Sequence, residues 1–236
     1  MADEKKEVIV AQAQPPATID TGRALGLAEN IGQSDMKLPR IELTQALSPT
    51  VTAGKHKAGV LVNSLTKEEL VQPLLITPVF AFKNVIRWKP RAQGGGIVYR
   101  TMNITPDVAE DLRFHGDQKP QATAYINVVC LVEGQDMPLI ASFCNTSYTA
   151  GQALATLIAI SGYAWKYKYR ISSKQRTNNQ GTFYVFDVAR DTVTTPEEQS
   201  KASEMFASVK GMATIDTDYE GDTTTAAPEA GEKREF

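Results

Sequence analysis

The chain has 236 residues, 42% of them hydrophobic, and a formal net charge of −2, which suits one sizeable core rather than several domains. No apolar run approaches the roughly 18 residues a membrane span needs. The charged start Asp3-Glu4-Lys5-Lys6-Glu7 lacks the apolar region and cleavage site of a secretory signal, so a cytoplasmic protein without a membrane partner is expected. The small net charge is an average: residues 1–36 hold six acids and three bases and residues 212–236 seven acids and two bases, leaving 14 acids against 20 bases between them. A basic body between acidic ends points to a polyanionic partner.

Residues 1–36 are weakly periodic, of mixed charge and rich in Ala, Gln and Pro. They read as a disordered arm with a short helix near 22–30. From 37 to 195 the pattern is that of one β-rich domain. Pro39-Arg40-Ile41-Glu42-Leu43-Thr44 alternates as a half-buried strand does, Ser48-Pro49 and Gly54 mark turns, and Gly59–Asn63 is a second strand. Thr66-Lys67-Glu68-Glu69 has capping-box spacing and predicts one or two helical turns, stopped by Pro73. A long strand follows over Leu74–Lys89, then the flexible loop Gly94-Gly95-Gly96 and a return strand at Ile97–Arg100. Thr105-Pro106 opens a short helix or loop. Ala122–Val132 and Leu139–Cys144 form an antiparallel hairpin around Glu133-Gly134-Gln135-Asp136.

The period changes at Thr149–Ile160, where Ala150, Ala153, Leu154, Leu157 and Ile158 share a helical face and Gly162 stands at the C-cap. Two further strands read as Tyr163–Ile171 and Thr182–Arg190, joined by the polar loop 177–181. Thr195-Pro196-Glu197-Glu198 starts a helix over 196–211 that carries Ala202, Met205, Phe206 and Val209 inward and stops at Gly211. Residues 212–236 form a flexible acidic tail. The expected fold is mainly β with short helices, an OB-like β-barrel decorated by two or three helices.

Two stretches carry the functional signal. In Phe80–Arg91, Phe80, Phe82, Ile86 and Trp88 share one strand face and Lys83, Arg87 and Lys89 the other. In Tyr163–Arg170, Tyr163, Trp165, Tyr167 and Tyr169 share one face, with Lys166, Lys168 and Arg170 opposite. Phe80, Phe82 and Ile86 read as core. Four large rings at consecutive inward positions of the second strand would overfill a small barrel, and three are tyrosines whose hydroxyls need partners if buried.

Sequence-tolerant binding of single strands needs rings for bases and cations for phosphates. The stacking candidates are Trp88, Trp165, Tyr167 and Tyr169. The phosphate candidates are Lys83, Arg87, Lys89, Arg91, Arg100, Lys166, Lys168, Arg170, Lys174 and Arg176. By alternation these rings and bases cannot all face one groove unless the strands twist or bulge. The Gly94–Gly96 loop, flanked by Arg91 and Arg100, reads either as a finger over a bound strand or as a plain hairpin.

Catalytic readings have little support. Asp107, Glu110 and Asp111 form the best acidic cluster, but acids at a helix start are usually solvated. There is no nucleophile elbow, P-loop or dinucleotide fingerprint. Cys130 and Cys144 read as buried thiols, and with only His56 and His115 beside them neither a metal nor another cofactor is expected.

These features resemble the single-stranded DNA-binding proteins of bacteriophages: an OB-type body with basic aromatic strands, then a helix, then an acidic tail closing on Phe236. The strings Leu38-Pro39-Arg40-Ile41-Glu42-Leu43 with Ala46-Leu47-Ser48-Pro49, and Ile76-Thr77-Pro78-Val79 leading to Trp88-Lys89-Pro90-Arg91, are similar to such tailed-phage proteins. The resemblance implies a non-enzymatic protein that coats single-stranded DNA in phage DNA replication or recombination, located in the host cytoplasm and capable of self-association. It implies docking of replication or recombination proteins on the tail through Asp216, Asp218, Glu220, Asp222 and Phe236. The tail departs from the family pattern where Lys233-Arg234 interrupt its acids and Thr223–Ala227 dilute them. The other reading is a non-enzymatic virion or assembly protein built on a β-barrel.

Overall fold

The computed structural model describes residues 38–210 apart from 117 and 180, and the side chains in that span apart from those of Arg91 and Lys210. The N-terminal arm, the helix stop at Gly211 and the acidic tail with Asp216, Asp218, Glu220, Asp222 and Phe236 lie outside the described residues.

Nine strands, β1 (Arg40–Leu43), β2 (Leu61–Asn63), β3 (Glu69–Leu70), β4 (Leu74–Trp88), β5 (Ile97–Thr101), β6 (Ala122–Val132), β7 (Leu139–Cys144), β8 (Tyr167–Asn178) and β9 (Gly181–Val193), make one sheet. Its order is β3-β2-β1-β7-β6-β4-β8-β9, with β5 beside β4. The β1–β7 pair is parallel and every other pair antiparallel. Four helices join them: α1 (Pro49–Thr52), α2 (Pro106–Asp111), α3 (Tyr148–Ser161) and α4 (Pro196–Lys210). The fold is therefore mainly β with short helices, and the sheet curls into a half-barrel.

β4 is the hub. Its middle pairs with β6 from Ile76 to Arg87, its first three residues pair with β8, and its last four with β5. The β4–β6 register slips between Pro78 and Phe80, where proline offers no N–H to the ladder. One face of the sheet carries the main core, with Ile76, Ile126, Val128, Phe143, Tyr169, Ile171 and Phe186 packed around Leu154 of α3. Helix and sheet come close because position 151 is glycine: a Cβ there would lie 2.6 Å from that of Phe143. On the other face Val129, Ile140, Phe80 and Phe82 lie against Met205 and Val209 of α4. The capping box of α4 forms reciprocally, Thr195 N donating to Glu198 Oε2 (2.8 Å) and Glu198 N to Thr195 Oγ1 (3.3 Å).

The curl brings β9 to the β1–β2 connection. There the Gln45 amide donates to the Tyr184 carbonyl and accepts from its N–H, both at 2.9 Å. The side chain thus continues a ladder that the main chain does not close. The Tyr184 ring packs on Gly59, whose φ is +86°, and a Cβ there would stand 2.4 Å from the ring.

Three sequence expectations are corrected. Thr66–Glu69 is not helical: Asn63 Oδ1 accepts from Leu65 and Thr66 N–H, and Asn63 N–H donates to Glu68, closing a hairpin in which Lys67 adopts φ 60°. A short polar side chain that can take these local bonds outcompetes a one-turn helix. Ala153 is exposed rather than inward, since the buried line of α3 runs through Gly151, Leu154 and Ser161. The strand expected over Tyr163–Ile171 begins at Tyr167 and continues to Asn178.

Candidate nucleic-acid interface

The late start of β8 decides which rings are accessible. α3 ends at Gly162 with φ +89°, and Ala164–Lys166 form a 3-10 turn. This turn is held from the far end of β9: Thr194 Oγ1 donates to the Trp165 carbonyl at 2.6 Å and Thr194 N–H to that of Lys166 at 3.2 Å. Strict alternation across Tyr163, Trp165, Tyr167 and Tyr169 is therefore lost, and a register shift between Tyr167 and Tyr169 in the β8–β9 pair separates the last two. Tyr163 is 41% exposed and Tyr169 0%. Tyr169 lies in the main core with its hydroxyl 3.5 Å from Ser161 Oγ. A ring buried in this way cannot stack on a base, so Tyr169 is corrected from a stacking residue to a core residue.

The remaining rings gather at the rim. Trp165 packs on Phe206 of α4 (5.3 Å between centroids) and on Tyr163 (5.7 Å), and Phe206 reaches Phe80 at 6.2 Å. Tyr167 lies between two cations, Arg190 at 4.9 Å and Lys166 at 5.7 Å from its centroid. Lys83 Nζ stands 6.0 Å from the ring of Tyr148. Arg176 is directly opposite Phe183 across the β8–β9 ribbon. A cation thus stands over the ring of Tyr167 and over that of Tyr148, and the strand register sets Arg176 and Phe183 side by side.

The sequence-predicted cations divide into two groups. Lys168, Arg170 and Arg87 have fold-holding partners, Glu198 at 2.6 Å, Asp191 at 2.7 Å and Asp111 at 3.1 Å respectively. Burial works against the Glu198 carboxylate, but Lys168 and the N–H and hydroxyl of Thr195 outweigh it and hold its pKa below the usual range. The hydrogen bond from Lys168 to Glu198 in turn raises the lysine. Asp111 also accepts from Tyr99 Oη at 2.7 Å, and burial together with that bond pushes the phenol up to about 12. Arg87 donates further to Gln121, so it braces α2 against β4 and β5. Among the described residues no carboxylate pairs with Lys83, Lys89, Lys166, Lys174, Arg176 or Arg190. Arg100 is half-buried opposite Ile86.

The two aromatic–basic strands do not build one groove. β8 meets β4 only at Leu74–Ile76 and runs antiparallel to it. The tip of the β8–β9 ribbon, with Lys174 and Arg176, therefore projects past the N-terminal end of β4. The β4–β5 loop, with Lys89 and Gly94–Gly96, projects from its C-terminal end. Trp88 groups with Ile86, Tyr125 and Cys144, eight residues and about 25 Å along the strand from the Phe80 that leads to Trp165. Tyr148, Phe183 and Arg190 went unread in the sequence. The signal was there in Phe183-Tyr184 and Arg190 at the two ends of an alternating strand, but only pairing with β8 sets them beside its cations and rings.

Among the described residues no group of three His, Cys, Asp or Glu side chains could hold a metal ion, and no helix is long and apolar enough to cross a membrane. Burial pushes the Cys130 thiol up to about 12, which makes it an inert core group. No curated protein sequence and no solved structure matches the chain. The sequence profile of the Pam3 phage gp34-like proteins matches residues 6–214, which covers the half-barrel and α4, and the chain belongs to that bacteriophage family.

Proposed function

We propose that this phage protein is a non-catalytic single-stranded DNA-binding protein that coats exposed strands, without strong base preference, during phage replication or recombination. The observation that supports this reading is the repeated pairing of an accessible ring with a cation that no described carboxylate neutralises: Tyr167 with Lys166 and Arg190, Tyr148 with Lys83, Phe183 with Arg176. Ring faces accept any base and the cations accept phosphate. Trp165, next to Tyr167 and part-exposed, belongs to the same surface. Lys168, Arg170 and Arg87 are assigned to the fold instead.

The acidic tail supplies an intramolecular competitor for the basic body and, once displaced, a segment for replication or recombination partners to hold. The experiment is fluorescence titration with oligo-dT at several salt concentrations, with and without residues 214–236. Binding should weaken with salt by about 0.7 log units per log unit for each phosphate contact. Tail removal should tighten it at low salt. Absence of any complex with poly-dT at low salt would refute the reading.

A second reading, a virion or assembly protein, is favoured by the exposed apolar side chains Ile97, Val98, Met102, Ile104 and Phe114 on β5 and the segments flanking α2. Discrete oligomers that show no preference for nucleic acid would support it.

A further inference from the structure

A groove of about 540 Å³ lies between the first turns of α3 and the β8–β9 ribbon, within the size range of small-ligand sites. Its helix wall is made by Thr149 and the small side chains of Ala150 and Ala153, and its ribbon wall by Arg176, Phe183 and Val185. The two walls are pinned together where the Phe186 N–H donates to Ser147 Oγ at 3.1 Å, just before α3 begins. Arg176 and Phe183 are cross-strand neighbours, so their Cβ atoms are about 5 Å apart on one face. Phe183 is half-buried, and Arg176 is exposed with no carboxylate partner among the described residues. Asp187 closes the other end of the groove, four residues and about 13 Å along β9 from Phe183.

We propose that this groove seats one nucleotide of a bound single strand, an inference that rests on the reading above. The base lies between the Phe183 ring and the flat alanine wall of α3. The phosphate sits on Arg176, at the end of the groove away from Asp187. Asp187 repels phosphate at its end, so the strand leaves the groove past Arg176. Besides Arg176 and Asp187, the polar side chains of the groove are the hydroxyls of Thr146, Thr149 and Thr177, which rotate to donate or accept and so suit tolerance of sequence.

The test uses the full chain, oligo-dT, and the same oligomer carrying abasic sites. Arg176→Ala should weaken oligo-dT binding and lower the salt slope by about 0.7. Phe183→Leu keeps apolar volume but removes the ring. It should weaken binding about ten-fold with the slope unchanged, and that loss should vanish on the abasic strand. Ala153→Leu, at an exposed helical position, fills the slot from the other wall and should reproduce the Phe183→Leu result should that variant fold poorly. If the wild-type chain binds oligo-dT while all three variants bind it equally well, the groove proposal is overturned and the single-strand reading stands. If the wild-type chain binds no single strand at low salt, both are overturned.

Discussion

The second half of β4 and the first half of β8 carry the same alternation of rings and cations, yet their neighbours use it differently. β4 runs through the middle of the sheet, between β6 and β5, with α4 across its outer face. Its Phe80, Phe82 and Ile86 are consumed by packing, and its Arg87 by Asp111 and Gln121. β8 follows a 3-10 turn at the rim. Of the rings in Tyr163–Tyr169 only Tyr169 is fully buried, while Tyr163, Trp165 and Tyr167 stay part-exposed, with the uncompensated Lys166 and Arg190 beside Tyr167. Two strands of like composition can thus be packed away or left accessible, and the partner elements decide which.

The sharpest way to break this comparison lies in Tyr163–Tyr169, the turn and first residues of β8. Tyr169→Ala should cost about 3–5 kcal/mol, measured by urea unfolding, whereas Tyr163→Ala, six residues earlier and at the surface, should stay within about 0.5 kcal/mol. Equal costs would mean that the rim and the core are not distinct. On β4, Ile86→Ala should cost about 2–5 kcal/mol and leave oligo-dT affinity unchanged while the variant remains folded. A specific loss of affinity there would return β4 to the binding surface.

The seam offers a check on the curl that places β8 and β9. Gly59→Ala forces a Cβ into the Tyr184 ring at a φ of +86°, and should cost about 1–3 kcal/mol in thermal or urea unfolding. A neutral result would show that the seam is open in solution.

Smaller still is the cost of loosening α4 from β8. Glu198→Gln keeps an acceptor for the Thr195 N–H but loses the ion pair with Lys168, and should cost about 0.5 kcal/mol near neutral pH. The sign with pH follows from the lowered Glu198 and the raised Lys168. The carboxylate's share of stability is present above its unfolded pKa and fades as pH falls through its lower folded one. The lysine's share is present below its unfolded pKa and is lost as pH rises through its higher folded one. The difference between wild type and variant should therefore be widest between those limits and shrink in acid and in strong alkali. A difference independent of pH would assign the effect to packing.

Most elements were legible in the sequence because their signals are local. Strand-like runs bounded by turn residues located β4, β6 and β7, period-3.6 spacing located α3, and the Thr195–Glu198 box located the start of α4. Where the local signal was ambiguous, the competing local bond won, as Asn63 shows in turning Thr66–Glu69 into a hairpin. The candidate site was legible in composition and only partly in position. Rings next to Lys and Arg marked Tyr163–Arg170 as a candidate segment, but Tyr169 was read as a stacking ring and Lys168 and Arg170 as available, whereas the structure buries the first and pairs the other two with carboxylates.

The sequence by itself determined the class of the fold, the basic body between acidic ends, and the residue types at hand for stacking and phosphate contact, because charge, hydrophobic period and caps depend on neighbours within a few positions. Only the tertiary structure decided which rings are free and which cations are already paired. Glu198, Asp191 and Asp111 come from other elements, and the bulge and late start that turn Tyr169 inward arise where β8 meets β9 and the end of α3. The groove between Phe183 and Ala153 likewise exists only because residues about thirty positions apart pack across a curled sheet.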